Sequence, residues 1–353
     1  MNAIARRQRV FVTQPIAASA LERIKAVADV AVNLDDRQIL PRKSLLAGVA
    51  ECDYLLSLMH DKIDGSVIGA NPDLLAIASM AITSTDIDVQ EATRRNVAIT
   101  TAPPLVTEAT ADLCFGLMLA VARRIVEGDK LVRRGTFPGG QSNHLVGGGI
   151  FGKTLGLVGG GGRIGAAVAR RARGFQMTVL YWSPRRKPAE IEKELGLSFT
   201  PLDELLRRSD FVSIHSPLRP ETRGQIGADQ LALMKSTAFL INTSRGPIVD
   251  ELALADALER GRIAGAALDV FAREPEVTPA LLTMSNVVLT PHLGSAVVET
   301  RAAMANSVAD NLLALIDGRR PPNLQNPEVF PAWSARWRSA KKGSRSATSR
   351  FEH

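Results

Sequence analysis

The run Leu155-Gly156-Leu157-Val158-Gly159-Gly160-Gly161-Gly162-Arg163-Ile164-Gly165 decides the fold. Its apolar head, 155–158, has the length and character of a buried strand, and 164–173 continues as a helical pattern. Between them Gly160, Gly162 and Gly165 fit G-x-G-x-x-G, with Arg163 and Ile164 inside the motif. Glycine lets the backbone come close to a pyrophosphate, and a helix N-terminus offers free N–H groups and partial positive charge. Strand, glycine turn and helix in that order predict a dinucleotide site.

The same strand–helix alternation extends in both directions. Strands are expected at 155–158, 178–182, 211–215, 238–242, 264–268 and 287–290, six in all, enough for one doubly wound sheet. Upstream, strands are expected at 10–13, 30–32, 54–57, 76–78 and 98–100, with helical patterns such as 18–27 between them. One long helix is expected from Glu108 to about Arg134, followed by a Gly-rich connector over 137–151. A last helix at 298–316, before Pro321-Pro322, is too little for a domain of its own and is expected to return to the first sheet. The expectation is an α/β protein with two doubly wound Rossmann-like domains. Residues 1–103 plus 293–330 would form a discontinuous substrate domain, and 104–292 the dinucleotide-binding domain.

Composition sets outer limits. The chain has 353 residues, 45% hydrophobic and 22% charged, which is globular and not disordered. Its longest apolar run, 113–122, is stopped by Asp112 and Arg123 and is half the ~20 residues a membrane span needs. No apolar signal-like segment precedes the first strand, and two cysteines, Cys52 and Cys114, make no disulfide framework or zinc site. A cytoplasmic protein without metal is expected. Of the formal charge of +7, residues 331–353 carry +5, leaving +2 for the first 330 residues. The nearly neutral body argues against nucleic acid as a partner, and 331–353 reads as a basic, disordered tail.

Cofactor choice turns on the next strand. An NAD site places an acid about 20 residues beyond the glycines, where it binds the ribose 2′-hydroxyl. Here the strand ends at Trp182, Ser183-Pro184-Arg185-Arg186-Lys187 follows, and no acid occurs between Arg163 and Ala189. Ser183, Arg185 and Arg186 offer a hydroxyl and two guanidinium forks to a 2′-phosphate, so NADP(H) is favoured over NAD(H).

Three further segments place polar groups just past expected strand ends, where open α/β sheets bind ligands. They are Asn242-Thr243-Ser244-Arg245-Gly246, Leu268-Asp269-Val270-Phe271-Ala272-Arg273-Glu274-Pro275 and Thr290-Pro291-His292-Leu293-Gly294-Ser295. In this order and spacing, over residues 10 to about 329, the motifs resemble the D-isomer-specific 2-hydroxyacid dehydrogenases, nearest to the glyoxylate/hydroxypyruvate reductase branch. The resemblance implies an active site in the cleft between two domains. It also implies hydride transfer to a small 2-keto acid such as glyoxylate or hydroxypyruvate, giving a D-2-hydroxy acid, and a homodimer.

Arg245 matches the family's substrate-binding arginine, Glu274 its acid and His292 its proton-transfer histidine. An arginine fork suits a 2-keto carboxylate. A histidine titrates near working pH, and a carboxylate on its other nitrogen fixes the tautomer and favours the imidazolium. Asp269 matches the acceptor for the nicotinamide carboxamide, while Thr107, His215, Pro217 and Thr243 match positions beside the cofactor. Ile82, Thr83 and Ser295 match positions beside the substrate. Two departures stand out. Four glycines follow Val158, one more than the family pattern, and Thr83 stands where that pattern has glycine. Another branch of the family, or a dinucleotide-sensing corepressor that binds protein partners, remains an alternative.

Overall fold

Small and β-branched residues dominate the strands of the first unit: β1 (Gln8–Val12), β2 (Ala28–Val32), β3 (Tyr54–Ser57), β4 (Ala76–Ser79) and β5 (Ala98–Thr101). Every residue of β3, β4 and β5 is buried, the mark of strands covered on both faces. The computed structural model, which describes residues 7–343, pairs them all in parallel in the order β2-β1-β3-β4-β5. This unit runs to Leu105 and resumes at Val297.

The returning chain closes the open edge of β5. Asn326 accepts from the Ile99 N–H at 2.9 Å and donates to the Val97 carbonyl at 3.0 Å. Gln325 N–H donates to the Ile99 carbonyl at 2.8 Å. Asn311, wholly buried on the helix Val298–Ile316, donates to the Thr101 carbonyl at 3.2 Å. Edge groups that would otherwise be left unpaired are thus taken up by asparagine amides and the returning backbone.

The expected disordered tail is corrected over its first part. A helix, Phe330–Gly343, packs on the first unit, and residues 344–353 lie outside the described residues. Trp333 is fully buried, stacks on Phe330 at 5.3 Å and donates from Nε1 to the Leu75 carbonyl at 3.0 Å. Arg336 donates to the carbonyls of Pro72 and Arg95, both at 2.7 Å. Trp337 sits over Gly318, whose φ of 73° and lack of a side chain make room for the ring. Summing charge over 331–353 hid an aromatic stripe, Phe330, Trp333 and Trp337, at helical spacing of three and four residues.

The second unit is contiguous, Val106–Ala296. Its strands are β6 (Thr154–Val158), β7 (Thr178–Trp182), β8 (Leu197–Phe199), β9 (Phe211–Ile214), β10 (Phe239–Asn242), β11 (Gly265–Leu268) and β12 (Val287–Leu289). All are parallel, ordered β12-β11-β10-β9-β6-β7-β8. The sheet therefore has seven strands and not the expected six, because β8 is a three-residue edge strand too short to show a period. The expected single helix from Glu108 to Arg134 is also two, Thr107–Ala122 and Ile125–Arg133. Arg124 between them is left-handed, with φ of 54°, and its guanidinium grips Glu127 through two bonds of 2.7 and 2.9 Å. The Gly148 N–H takes the Ala122 carbonyl at 2.8 Å, so the Gly-rich connector caps the first helix where it breaks.

Trp333→Ala is expected to lower stability by about 3–5 kcal/mol, as a large buried aromatic is lost. Arg338→Ala, on the exposed side of the same helix, should change it by no more than about 0.5 kcal/mol. Thermal denaturation of both variants checks this; equal, negligible shifts would mean that the helix is not docked.

Candidate active site

The phosphate loop resolves which glycine does what. Gly159 absorbs the extra residue as a left-handed turn, φ 80°, its N–H on the Trp182 carbonyl at 2.8 Å. A Cβ there would lie 2.4 Å from Ser216 N. Gly160 is buried against Leu157 and Tyr181, and Gly165 lies against its backbone, where a Cβ would meet the Gly160 oxygen at 2.5 Å. Gly160 is therefore a packing glycine. The exposed Gly162 caps the helix Arg163–Ala172, with Arg163 and Ile164 in its first turn, and Gly161 beside it faces Ser183 and Lys187. Gly161 was not singled out in the motif because its position is the variable one.

Beyond β7 the basic loop is divided. Ser183 Oγ donates to the Arg185 carbonyl at 2.6 Å, and Arg185 is exposed. Arg186 has a different partner. It forms a two-pronged pair with Glu192, both bonds 2.9 Å, and lies over the Phe199 ring. Arg186, and then the Tyr181 hydroxyl, hold the Glu192 carboxyl down at about 2. Tyr181 Oη also accepts the Lys187 N–H at 2.7 Å, so the clamp fixes the backbone of Lys187. Lys187 Cε would stand 3.3 Å from a Cβ on Gly161, which puts this lysine along the phosphate loop.

Past β10, Asn242 builds the turn that carries Arg245, accepting from Ser244 N–H at 3.0 Å and donating to the Arg245 carbonyl at 3.1 Å. Thr243 is buried, and its Oγ1 has no hydrogen-bond partner among the described residues. Past β11, Asp269 is fully buried. Its carboxylate accepts from Thr290 Oγ1 at 2.6 Å, Leu293 N–H at 2.7 Å and Gly294 N–H at 2.9 Å. Burial pushes its carboxyl up, against the pull of these three bonds. The strands β11 and β12 are thereby tied together at the loop that holds His292. His292 itself has a left-handed backbone, φ 56°, its N–H on the Asp269 carbonyl at 2.9 Å and its Nδ1 2.8 Å from Glu274 Oε2. Glu274 Oε1 accepts from the Phe271 N–H at 3.0 Å, so its second oxygen is aimed at the ring.

Residues 115–294 match the D-isomer specific 2-hydroxyacid dehydrogenase, NAD binding domain. The chain belongs to that family. It is 47% identical to the glyoxylate reductase of Korarchaeum cryptofilum, over 92% of this chain and 97% of that protein. The crystal structure of a glyoxylate reductase from Paecilomyes thermophila is similar at 31% identity with a TM-score of 0.76, covering 91% of this chain and 98% of its own. The NADPH-dependent glyoxylate/hydroxypyruvate reductase of Sinorhizobium meliloti, in complex with NADP and malonate, gives 31% and 0.75, covering 90% and 96%. This 2-hydroxyacid dehydrogenase is thus an NAD(P)-dependent enzyme, and its two parallel sheets are the two Rossmann-like folds expected.

The remaining expected residues of the dehydrogenase lie as follows. Thr107 opens the helix Thr107–Ala122, and Ser295 is buried one residue beyond Gly294, whose carbonyl accepts from Thr110 Oγ1 at 3.0 Å. His215 follows β9, with Nε2 3.0 Å from Ser213 Oγ, and burial lowers its pKa to about 4, so the ring is neutral at ordinary pH. Pro217 is exposed, its carbonyl taken by Thr222 Oγ1 at 2.7 Å. In the first unit, half-buried Ile82 and exposed Thr83 lie on the loop after β4, where Thr83 and Thr85 share a hydroxyl contact of 3.0 Å. Asn242 and Lys187 were missed in the sequence. The signal for Asn242 was an Asx residue at a strand end before a turn, and for Lys187 a third cation in the basic loop.

Proposed function

We propose that this enzyme reduces glyoxylate or hydroxypyruvate to the D-2-hydroxy acid, using NADPH. The His292–Glu274 pair, at 2.8 Å and on the same sheet end as the phosphate loop, carries this reading. The names of the relatives add the substrate class. The cofactor fits the residues present: Gly162 sits at a helix N-terminus where a Cβ would meet only the Gly159 oxygen, at 3.5 Å, and the unpartnered Thr243 Oγ1 is a buried group free to meet a ligand. When bound, NADPH supplies the hydride. Arg245 holds the substrate carboxylate and polarises the ketone. His292 gives its proton to the carbonyl oxygen, while Glu274 orients the ring and stabilises its charged form. Asp269, whose carboxylate is already taken up by the His292 loop, also serves the carboxamide end of the cofactor.

NADPH is preferred because Ser183 and Lys187 border the loop, the exposed Arg185 lies between them in sequence, and the carboxylate of Glu192 is paired with Arg186. A homodimer is supported by apolar side chains left exposed on the second unit: Ile125, Val132, Phe137 and Val146, each more than half exposed. Both cysteines are free and buried, as suits the reducing cytoplasm.

His292→Ala should reduce kcat by on the order of 10²–10⁴ while NADPH still binds, measured by steady-state kinetics and fluorescence titration. Retained turnover would remove His292 from proton transfer. Replacing Arg185 and Lys187 together by Ala should raise KM for NADPH about 10- to 150-fold, the worth of one charge-assisted hydrogen bond, and leave NADH nearly unchanged. Equal losses with both cofactors would show that the two cations bind something other than the 2′-phosphate. Thr83→Gly should raise kcat/KM for phenylpyruvate more than for glyoxylate, if the threonine crowds the bound acid. A uniform drop across keto acids would instead assign its hydroxyl a hydrogen bond of about 0.5–1.5 kcal/mol.

A further inference from the structure

Glu274 sits on a turn, and that turn is fastened from below. Glu251, the first residue of the helix Glu251–Glu259, is buried, and its carboxylate reaches two points of the turn. Oε1 accepts from the Ala272 N–H and Oε2 from Thr278 Oγ1, each at 2.5 Å. Between these anchors lie Arg273 to Val277, with Glu276 N–H returning to the Arg273 carbonyl at 2.9 Å. The same turn lies flat on the residue after Arg245. A Cβ on Gly246 would fall 1.9 Å from the Phe271 carbonyl carbon and 2.4 Å from Ala272 N. The peptide held by Glu251 is therefore in backbone contact with the segment carrying Arg245, and the peptide just before it donates the Phe271 N–H to Glu274.

We propose that Glu251 is a positioning residue for catalysis: it clamps both arms of the turn and so holds Glu274 Oε2 at His292 Nδ1. This rests on the function proposed above for His292 and Glu274. Without the clamp the turn loses two of its anchors, and Glu274 no longer has one position relative to the ring. Displacements of about 1 Å at such a pair cost on the order of 10²-fold in rate. The acids of this unit facing His292 are Glu274 and, behind the loop, Asp269. Of these, only Glu274 is carried by the turn that Glu251 holds.

The test uses the full chain with NADPH and glyoxylate. Glu251→Ala should lower kcat about 10- to 100-fold and move the pH profile of kcat/KM to lower pH, in the same direction as Glu274→Gln, with the NADPH Kd within about twofold of wild type. Glu251→Gln should restore most of the rate and the profile, since its amide still accepts from Ala272 N–H and can donate to Thr278 Oγ1. Thr278→Val, which removes one anchor and keeps the volume, should give a smaller shift of the same sign, and it decides the matter if the alanine variant does not fold. A wild-type profile in Glu251→Ala or Thr278→Val overturns the proposal, as does parallel loss of NADPH binding and activity. Should His292→Ala and Glu274→Gln leave turnover intact, the function assigned to the pair has failed instead. If both collapse while Glu251→Ala does not, only the role of Glu251 has failed.

Discussion

A carboxylate buried at the end of a strand, with three donors closing on it from the next loop, is the interaction around which the catalytic end of this enzyme is arranged. Asp269 turns the loop after β12 back toward β11 and supports a left-handed residue at His292. A histidine in that conformation is uncommon and is kept only where its surroundings over-determine it. Here the surroundings are explicit: the backbone N–H of His292 on the Asp269 carbonyl, the next two N–H groups on the Asp269 carboxylate, and the ring on Glu274. The first two fix the backbone, and Glu274 alone of these fixes the ring.

The same economy governs the glycines. Gly165 against Gly160 and Gly246 against Phe271 are places where two backbones meet with no space for a methyl group. Each lies at the junction between a supporting element and a functional loop. Side-chain chemistry can then be presented at strand ends while the loops beneath are braced by main chain, which has fewer rotamers to misplace.

Much of this was written in the sequence, because parallel strands buried on both faces read as short apolar runs and the functional residues follow them directly. The strand positions, the glycine loop and the Arg245, Glu274 and His292 segments could all be found that way. What escaped had no period or depended on partners far along the chain. β8 is three residues long, and the helix break at Arg124 is set by a connector that caps Ala122 from more than twenty residues away. Arg186 looked like its neighbours in the basic loop, yet its partner Glu192 lies beyond the window in which an acid was sought. The docked helix Phe330–Gly343 was masked by its lysines and arginines, whose aliphatic stems and donors can serve packing as well as solubility.

The first unit is made from both ends of the chain, and this has a consequence for synthesis. The Thr101 carbonyl waits for Asn311, 210 residues later, and the Leu75 carbonyl for Trp333, 258 residues later. At about 5–20 residues per second, the earlier of these closures comes roughly 10–40 s after β5 has been made. During that interval the second unit, an uninterrupted stretch, is made strand by strand, its last strand β12 ending 22 residues before Asn311, while β5 stands with an uncovered edge. Nascent chains of this enzyme therefore pass through a stage at which one half is complete and the other is an invitation to strand pairing, the kind of intermediate that chaperones exist to shield.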